Sequence, residues 1–254
     1  MLENALLLIT CEHGGNEVPA RYAALFTGQE GLLASHRGYD PGALALARLL
    51  ARRFSARLAA PLLFSETTRL LADLNRSRGH PRLFSQTTAA LPKEEREAIL
   101  ARHWQPHREA ATAAARAVLA SGRPVLHLAS HSFTPVLDGA VRRADVGLLY
   151  DPKRAEEKAF CAAWAAALAR RAPGLRVRRN QPYRGAADGL TTHLRRLFAA
   201  EFPEGPPYLG VEIEVNQRFR SADGESGGAS WRSVAGALAE SLEETLARAP
   251  GPDA

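Results

Sequence analysis

Two short runs place an imidazole where an apolar stretch gives way to polar residues. The first is Cys11-Glu12-His13-Gly14-Gly15-Asn16-Glu17, and the second is Ser130-His131-Ser132, at the end of the apolar run that starts at Pro124. A third run, Tyr208–Gln217 (YLGVEIEVNQ), carries Glu212 and Glu214 two residues apart. In a strand, side chains alternate, so both carboxylates share one face. Carboxylates inside an apolar strand are costly unless they are paired or bound to a metal. Two histidines and one carboxylate with an open fourth position form a ligand set used by hydrolytic zinc. Such a metal polarises a scissile carbonyl and acidifies water, while a separate carboxylate carries protons from water to the leaving amine. His13 and His131 supply the imidazoles in this reading. Asp40, Glu17 or Glu12 supplies the ligand carboxylate, and Glu214 or Glu212 the proton shuttle.

Two polar segments are candidates for substrate contacts. In Thr67–Ser77 (TTRLLADLNRS), Arg69 and Arg76 could clamp a carboxylate, because a guanidinium matches that group with two parallel hydrogen bonds. In Asn180–His193 (NQPYRGAADGLTTH), glycines mix with hydrogen-bonding groups, which suits a lid or substrate loop or a plain polar turn. Asn180, Tyr183, Arg184, Asp188 and His193 are its candidates for the mouth of the site, beside Asn75 from the first segment.

The elements that must hold these residues alternate. Short apolar-biased runs predict strands over 5–10, 56–60, 124–130, 145–150, 175–179 and 208–215. Amphipathic spacing predicts helices over 41–54, 91–120, 154–171 and 230–248, the first with Asp40 as N-cap and Pro41 at its first position. Strands alternating with helices of this length predict an α/β fold: three αβα layers around an open, mainly parallel or mixed twisted sheet. Active sites of such sheets form at the carboxyl ends of the strands, where both histidines fall. The stretches 203–207, 221–229 and 249–254 are short enough to be loops and a tail, so the chain reads as a single domain over 1–254.

Composition narrows the function classes. No apolar run among the 254 residues approaches the length of a membrane span, so no membrane partner is expected. The first residues read as a strand, not a signal peptide. Cys11 and Cys161 each lie in apolar surroundings, as buried thiols do in a reducing cytoplasm. The net charge of +6 comes from arginines scattered along Ala/Leu-rich helices, with no basic block interleaved with aromatics. Nucleic acid is therefore disfavoured as a partner, whereas attraction of anionic substrates fits.

Six motifs in order resemble the N-formylglutamate amidohydrolase family: residues 11–19 (CEHGGNEVP), 38–43 (GYDPGA), 68–76, 130–133 (SHSF), 180–193 and 211–217 (VEIEVNQ). The resemblance covers residues 5 to about 220. It implies a fold related to the zinc carboxypeptidases and aspartoacylase-type deacylases, with one Zn2+ per chain. The implied reaction removes an N-acyl group from an acidic amino acid, as with N-formyl-L-glutamate in histidine degradation, and the implied partner is that small carboxylate-bearing substrate. By the same resemblance His13 and His131 match the metal histidines, and Asp40 a position held by Asp or His. Glu214 matches the proton-shuttling glutamate, with Glu212 ranked second. Arg69 and Arg76 match residues that hold the substrate carboxylate. Glu17 stays as an alternative third ligand, since His13 and Glu17 resemble a stretched carboxypeptidase His-x-x-Glu pair. The family's histidine-utilisation enzymes read Pro-His-Ser-Gly where this chain has Glu12-His13-Gly14-Gly15, and Asp-Trp-His near Asp40, which puts the chain in a divergent branch. Rival readings are a metallopeptidase or cell-wall amidase on the same fold, and a non-catalytic binding module on a decayed hydrolase scaffold.

Overall fold

A computed structural model describes residue 2 and residues 4–220 and 230–248; the loop 221–229 and tail 249–254 read from the sequence lie outside the described residues. The strands are β1 (Leu6–Cys11), β2 (Leu63–Phe64), β3 (Val125–Phe133), β4 (Val136–Leu137), β5 (Ala140–Val141), β6 (Val146–Leu149), β7 (Val177–Arg179) and β8 (Tyr208–Asn216). The helices are α1 (Glu30–Leu33), α2 (Ala43–Arg53), α3 (Gln86–Ala89), α4 (Lys93–Ile99), α5 (Gln105–Ala120), α6 (Ala155–Arg171), α7 (Leu190–Glu201) and α8 (Trp231–Ala247).

Six strands form one sheet in the order β2-β1-β3-β8-β6-β7, and β4 and β5 form a separate hairpin. Every pairing in the large sheet is parallel except β6 with β8. Alternation along the central strands divides the core. Leu7 and Ile9 of β1, Leu126 and Leu128 of β3, and Val211 and Ile213 of β8 pack with α2, α6 and α8. Leu8, Val125 and Tyr208 face the other way, against Ala111 and Ala115 of α5 and Leu190 and Leu194 of α7. Strands buried on both faces need near-continuous apolar sequence, which explains why β1 and β3 read so plainly. The result is the expected three-layer αβα fold with an open, mainly parallel sheet. No helix among the described residues is long and apolar enough to cross a membrane. Both cysteines are buried and free, as expected.

Several elements differ from expectation for local reasons. The strand expected over 56–60 is a 3-10 turn at Ser55–Arg57 with one isolated bridge, Leu7 to Leu58. Proline offers no N–H to a ladder, and Pro61 separates that bridge from the pairing of Leu63 and Phe64 with Thr10 and Cys11. The helix expected from Pro41 starts at Ala43, after Gly42 at φ +88°. Asp40 does not cap it with its side chain, which turns into the site. The long helix expected over 91–120 is interrupted by a π turn at Leu100–Trp104, where Gln105 N donates to Leu100 O. This wider turn precedes Pro106, which could not donate to the previous turn of an α-helix. Helix α7 and the β4–β5 hairpin were not anticipated from the sequence.

Candidate metal centre

Strand β1 ends at Cys11, so Glu12 and His13 emerge at its carboxyl end. The two glycines that follow are needed for a close approach between chain segments. A Cβ at Gly14 would lie 2.8 Å from Ser65 O, and one at Gly15 would lie 2.6 Å from Glu66 O. Gly14 N and Glu17 N donate to those same carbonyls, so the β1 exit is stitched to the segment after β2. Asp40 N donates to His13 O at 2.9 Å, which brings the start of α2 beside β1. His131 lies in β3, with its Cα opposite that of Glu214 in β8. Glu12, His131, Glu212 and Glu214 thus gather at one end of neighbouring strands.

Among the described residues, His13, Asp40 and His131 form one group of three metal-ligand candidates, with their donor atoms within 4.8 Å of one another. All three are buried. Asp40 Oδ2 lies 2.9 Å from His131 Nδ1 and 3.3 Å from His13 Nδ1. Each imidazole thus turns its Nδ1 inward, and its other nitrogen meets a buried carboxylate. His13 Nε2 is 2.7 Å from Asp73 Oδ1. His131 Nε2 is 3.1 Å from Glu12 Oε2, an ion-pair contact too oblique for a well-formed hydrogen bond, which leaves that oxygen without a hydrogen-bond partner. A carboxylate behind a histidine fixes its tautomer and ring orientation and raises its basicity as a ligand.

The charges are strongly coupled. Burial works against an ionised Asp40, but His13, His131 and Arg69 outweigh it and hold the carboxyl well below its usual range. Burial likewise opposes ionisation of Asp73, which Arg69 and His13 overcome. Burial would push the His131 pKa down; Asp40 and Glu12 instead raise it. Glu214 goes the other way. Burial, reinforced by the charges of Asp40 and Glu212, pushes its carboxyl up to about 8 despite His131 and Arg69. Its Oε2 is buried without a hydrogen-bond partner.

The remaining expected residues divide by what they touch. Glu17 is exposed, and its backbone pairs with Thr67 outside the ligand group. Glu212 accepts from Thr191 Oγ1 at 2.9 Å, at the start of α7. The Arg69 guanidinium is turned inward: Nη2 and Nε donate to Asp73 Oδ2 at 2.5 and 3.1 Å, and Nη1 to Asp40 Oδ1 at 3.2 Å. It braces two carboxylates of the centre. Arg76 keeps a buried Nε that has no hydrogen bond among the described residues and lies 4.0 Å from Asp73 Oδ2, while its Nη1 donates to Asp188 O. Asn75 Oδ1 accepts from Leu190 N at 2.7 Å, and Asp188 Oδ2 from Ser77 N at 3.0 Å, so both lock the Arg76 loop to the segment entering α7. Asn180 Oδ1 accepts from Tyr150 N and Gly185 N, which shapes the following loop. Tyr183 is exposed and accepts from Arg142 Nη1 at 2.8 Å. Arg184 and His193 are exposed.

Three residues around the centre escaped sequence reasoning: Asp73, Arg142 and His107, whose Nε2 lies 3.3 Å from Glu12 Oε1. Arg142 follows the Asp138-Gly139 turn of the β4–β5 hairpin, both residues at positive φ, and Asp-Gly between apolar residues is a readable hairpin signal.

The family model for N-formylglutamate amidohydrolase matches residues 5–219. The chain belongs to the N-formylglutamate amidohydrolase family. A solved gene product of Agrobacterium tumefaciens is similar over 97% of this chain and 93% of its own, at 30% identity and a TM-score of 0.73. The N-formylglutamate amidohydrolase of Ralstonia eutropha JMP134 shares the fold, at 19% identity and a TM-score of 0.60, over 95% of this chain and 93% of that one. No curated protein matches the chain. Membership supports an amidohydrolase activity, and the buried His13–Asp40–His131 group could hold a metal ion.

Proposed function

We propose that this protein hydrolyses the amide bond of an N-acylated acidic amino acid, of the N-formyl-L-glutamate type, with one zinc ion held by His13, Asp40 and His131. The observation that carries the reading is the orientation of the two imidazoles: each Nδ1 faces Asp40 Oδ2, and each Nε2 faces a buried carboxylate. Two nitrogens and one carboxylate oxygen suit a zinc site that keeps a coordination position open for substrate or water. A metal bound there supplies Lewis acidity, polarising the acyl carbonyl and making water easier to deprotonate.

The chain's own groups account for the rest. Glu214 stands opposite His131 across the β3–β8 ladder with an unpartnered Oε2. Its raised pKa suits a carboxyl that takes the proton of the attacking water and returns it to the amine as the C–N bond breaks. Water adds to the carbonyl carbon, and the products are the acyl acid and the free amino acid. Arg76, whose side chain is 22% exposed, would bind a substrate carboxylate. Tyr183 and Arg142 form a second polar edge whose cation suits the other carboxylate of an acidic amino acid.

The test is zinc content of the purified protein together with release of formate and glutamate from N-formyl-L-glutamate. The reading expects about one zinc per chain and activity lost on chelation and restored by zinc. Protein that neither contains nor takes up zinc would overturn it. N-acetyl and N-formyl derivatives of neutral amino acids, assayed in parallel, define the acyl and side-chain preference.

A further inference from the structure

Glu12 has no exposed surface, yet among the described residues no arginine or lysine hydrogen-bonds to it. Its two oxygens face two imidazoles from different layers of the fold. Oε2 is 3.1 Å from His131 Nε2, and Oε1 is 3.3 Å from Nε2 of His107 on α5. The His107 side chain is itself 7% exposed. A buried carboxylate without partners is very costly; here Oε1 has a hydrogen bond to His107, and Oε2 is met by the His131 ring as an ion-pair contact. The arrangement mirrors the other side of the centre, where Asp73 stands behind His13 and Arg69 stands behind Asp73.

The π turn at Leu100–Trp104 precedes the segment from which His107 reaches Glu12. The indole of Trp104 donates to Arg76 O at 2.8 Å, and Arg108 Nη1 donates to Leu74 O at 3.2 Å. Trp104, His107 and Arg108 follow at i, i+3 and i+4, one face of a helix. That face holds the Arg76 loop and Glu12 together.

We propose that Glu12 and His107 are positioning residues for His131: His107 Nε2–H fixes the Glu12 carboxylate, and Glu12 holds the proton of His131 on Nε2, leaving the Nδ1 lone pair for the metal. This rests on the metal reading above. Asn75 Nδ2, 3.5 Å from the same His131 nitrogen, would favour the opposite tautomer. Asn75 has the hydrogen-bond geometry, but the Glu12 contact is the shorter one and is to an anion, and its attraction for a proton on Nε2 prevails.

The experiment measures zinc affinity by competition with a chromogenic chelator, and the visible spectrum of the cobalt(II)-loaded protein. Wild type, His107→Leu, His107→Gln and Glu12→Gln are compared, each checked for fold by near-ultraviolet circular dichroism. We expect His107→Leu and Glu12→Gln to lose roughly 10- to 100-fold in affinity and to shift the cobalt bands. His107→Gln, which keeps a donor, restores most of the affinity. Folded variants that bind zinc as tightly as wild type, with unchanged cobalt bands, overturn the proposal, because a purely structural role lowers thermal stability alone. If His107→Leu does not fold, Glu12→Gln against wild type decides. A wild-type protein that binds no metal overturns the metal reading itself, a result distinct from the variants' behaviour.

Discussion

At the scale of single residues, Glu214 and Arg69 show how partners decide roles that residue type leaves open. Glu212 and Glu214 share a strand face, but Glu212 is engaged by Thr191 while Glu214 keeps an oxygen free opposite His131. Replacing Glu214 with Gln should therefore lower kcat by ~10² to 10⁴, the usual worth of a general base. Zinc content should not change, because Gln keeps the volume and no ligand is removed. Kinetics beside metal analysis check this, and a variant with full turnover would exclude Glu214 as the shuttle. Arg76→Lys should instead act on binding. A lysine lacks the fork geometry, so KM should rise roughly 10- to 100-fold, the worth of one charge-assisted hydrogen bond, with a smaller change in kcat. Arg69 looked equivalent to Arg76 in sequence, yet its donors are directed to Asp73 and Asp40. Removing it should loosen the centre before it affects substrate affinity. Such distinctions depend on residues distant in the chain. His13 and Asp73 are 60 positions apart, and Glu12 and His107 are 95 apart, so neither carboxylate's role was legible from spacing.

At the scale of elements, what was legible follows from burial on both faces. Strands β1, β3 and β8 are near-continuous apolar runs, and a polar residue within or just beyond one stands out, as His131 and Glu214 do. The short edge strand β2 has no such signature, and Pro61 displaced it from where the pattern suggested. Helix α7 was missed because its first turn, Leu190-Thr-Thr-His193, continues a polar loop, although Leu190, Leu194 and Phe198 already share the i, i+4, i+8 spacing of an apolar face. The start of α2 was placed two residues early because Asp-Pro mimics a cap, whereas Asp40 is committed to the histidines. Gly42 makes that divergence possible. It holds φ +88°, and a Cβ there would come within 2.5 Å of the Trp231 ring. Gly42→Ala should cost at least about 1–2 kcal/mol from the left-handed backbone alone, before the clash is relieved. Since Asp40 lies two residues upstream, the same variant should also weaken zinc binding. Thermal melts and chelator competition on one preparation test both effects. A loss of stability with unchanged affinity would show that the α2 entry is not what places Asp40.

At the scale of the whole molecule, the sheet face that carries the centre also holds a buried polar network one layer below it. His127 Nε2 is 2.8 Å from Thr10 Oγ1, and Nδ1 is 2.6 Å from Tyr208 OH, so strands β1, β3 and β8 are joined through one ring. Burial lowers the His127 pKa from 6.5 to about 4, an effect that Glu12 only partly opposes. The folded protein therefore holds this ring neutral at pH values where the unfolded chain protonates it. Below pH 6.5 the unfolded state binds a proton that the folded state refuses, so stability falls as the medium is acidified. The loss continues until about pH 4, where the folded state also takes up the proton, and flattens below that. A shift of this size corresponds to about 3 kcal/mol over the window, at about 1.4 kcal/mol per pH unit. Asp40 and Asp73, whose pKa values are depressed, lose their contribution at lower pH still, through the carboxylate range. His127→Gln keeps an amide that can meet Thr10 and Tyr208 but removes the titration. Denaturant unfolding of both proteins between pH 7 and 4 should show the wild-type curve falling more steeply by this amount. Parallel curves would mean that the ring titrates alike in the folded and unfolded chain, so that burial does not hold it neutral below pH 6.5.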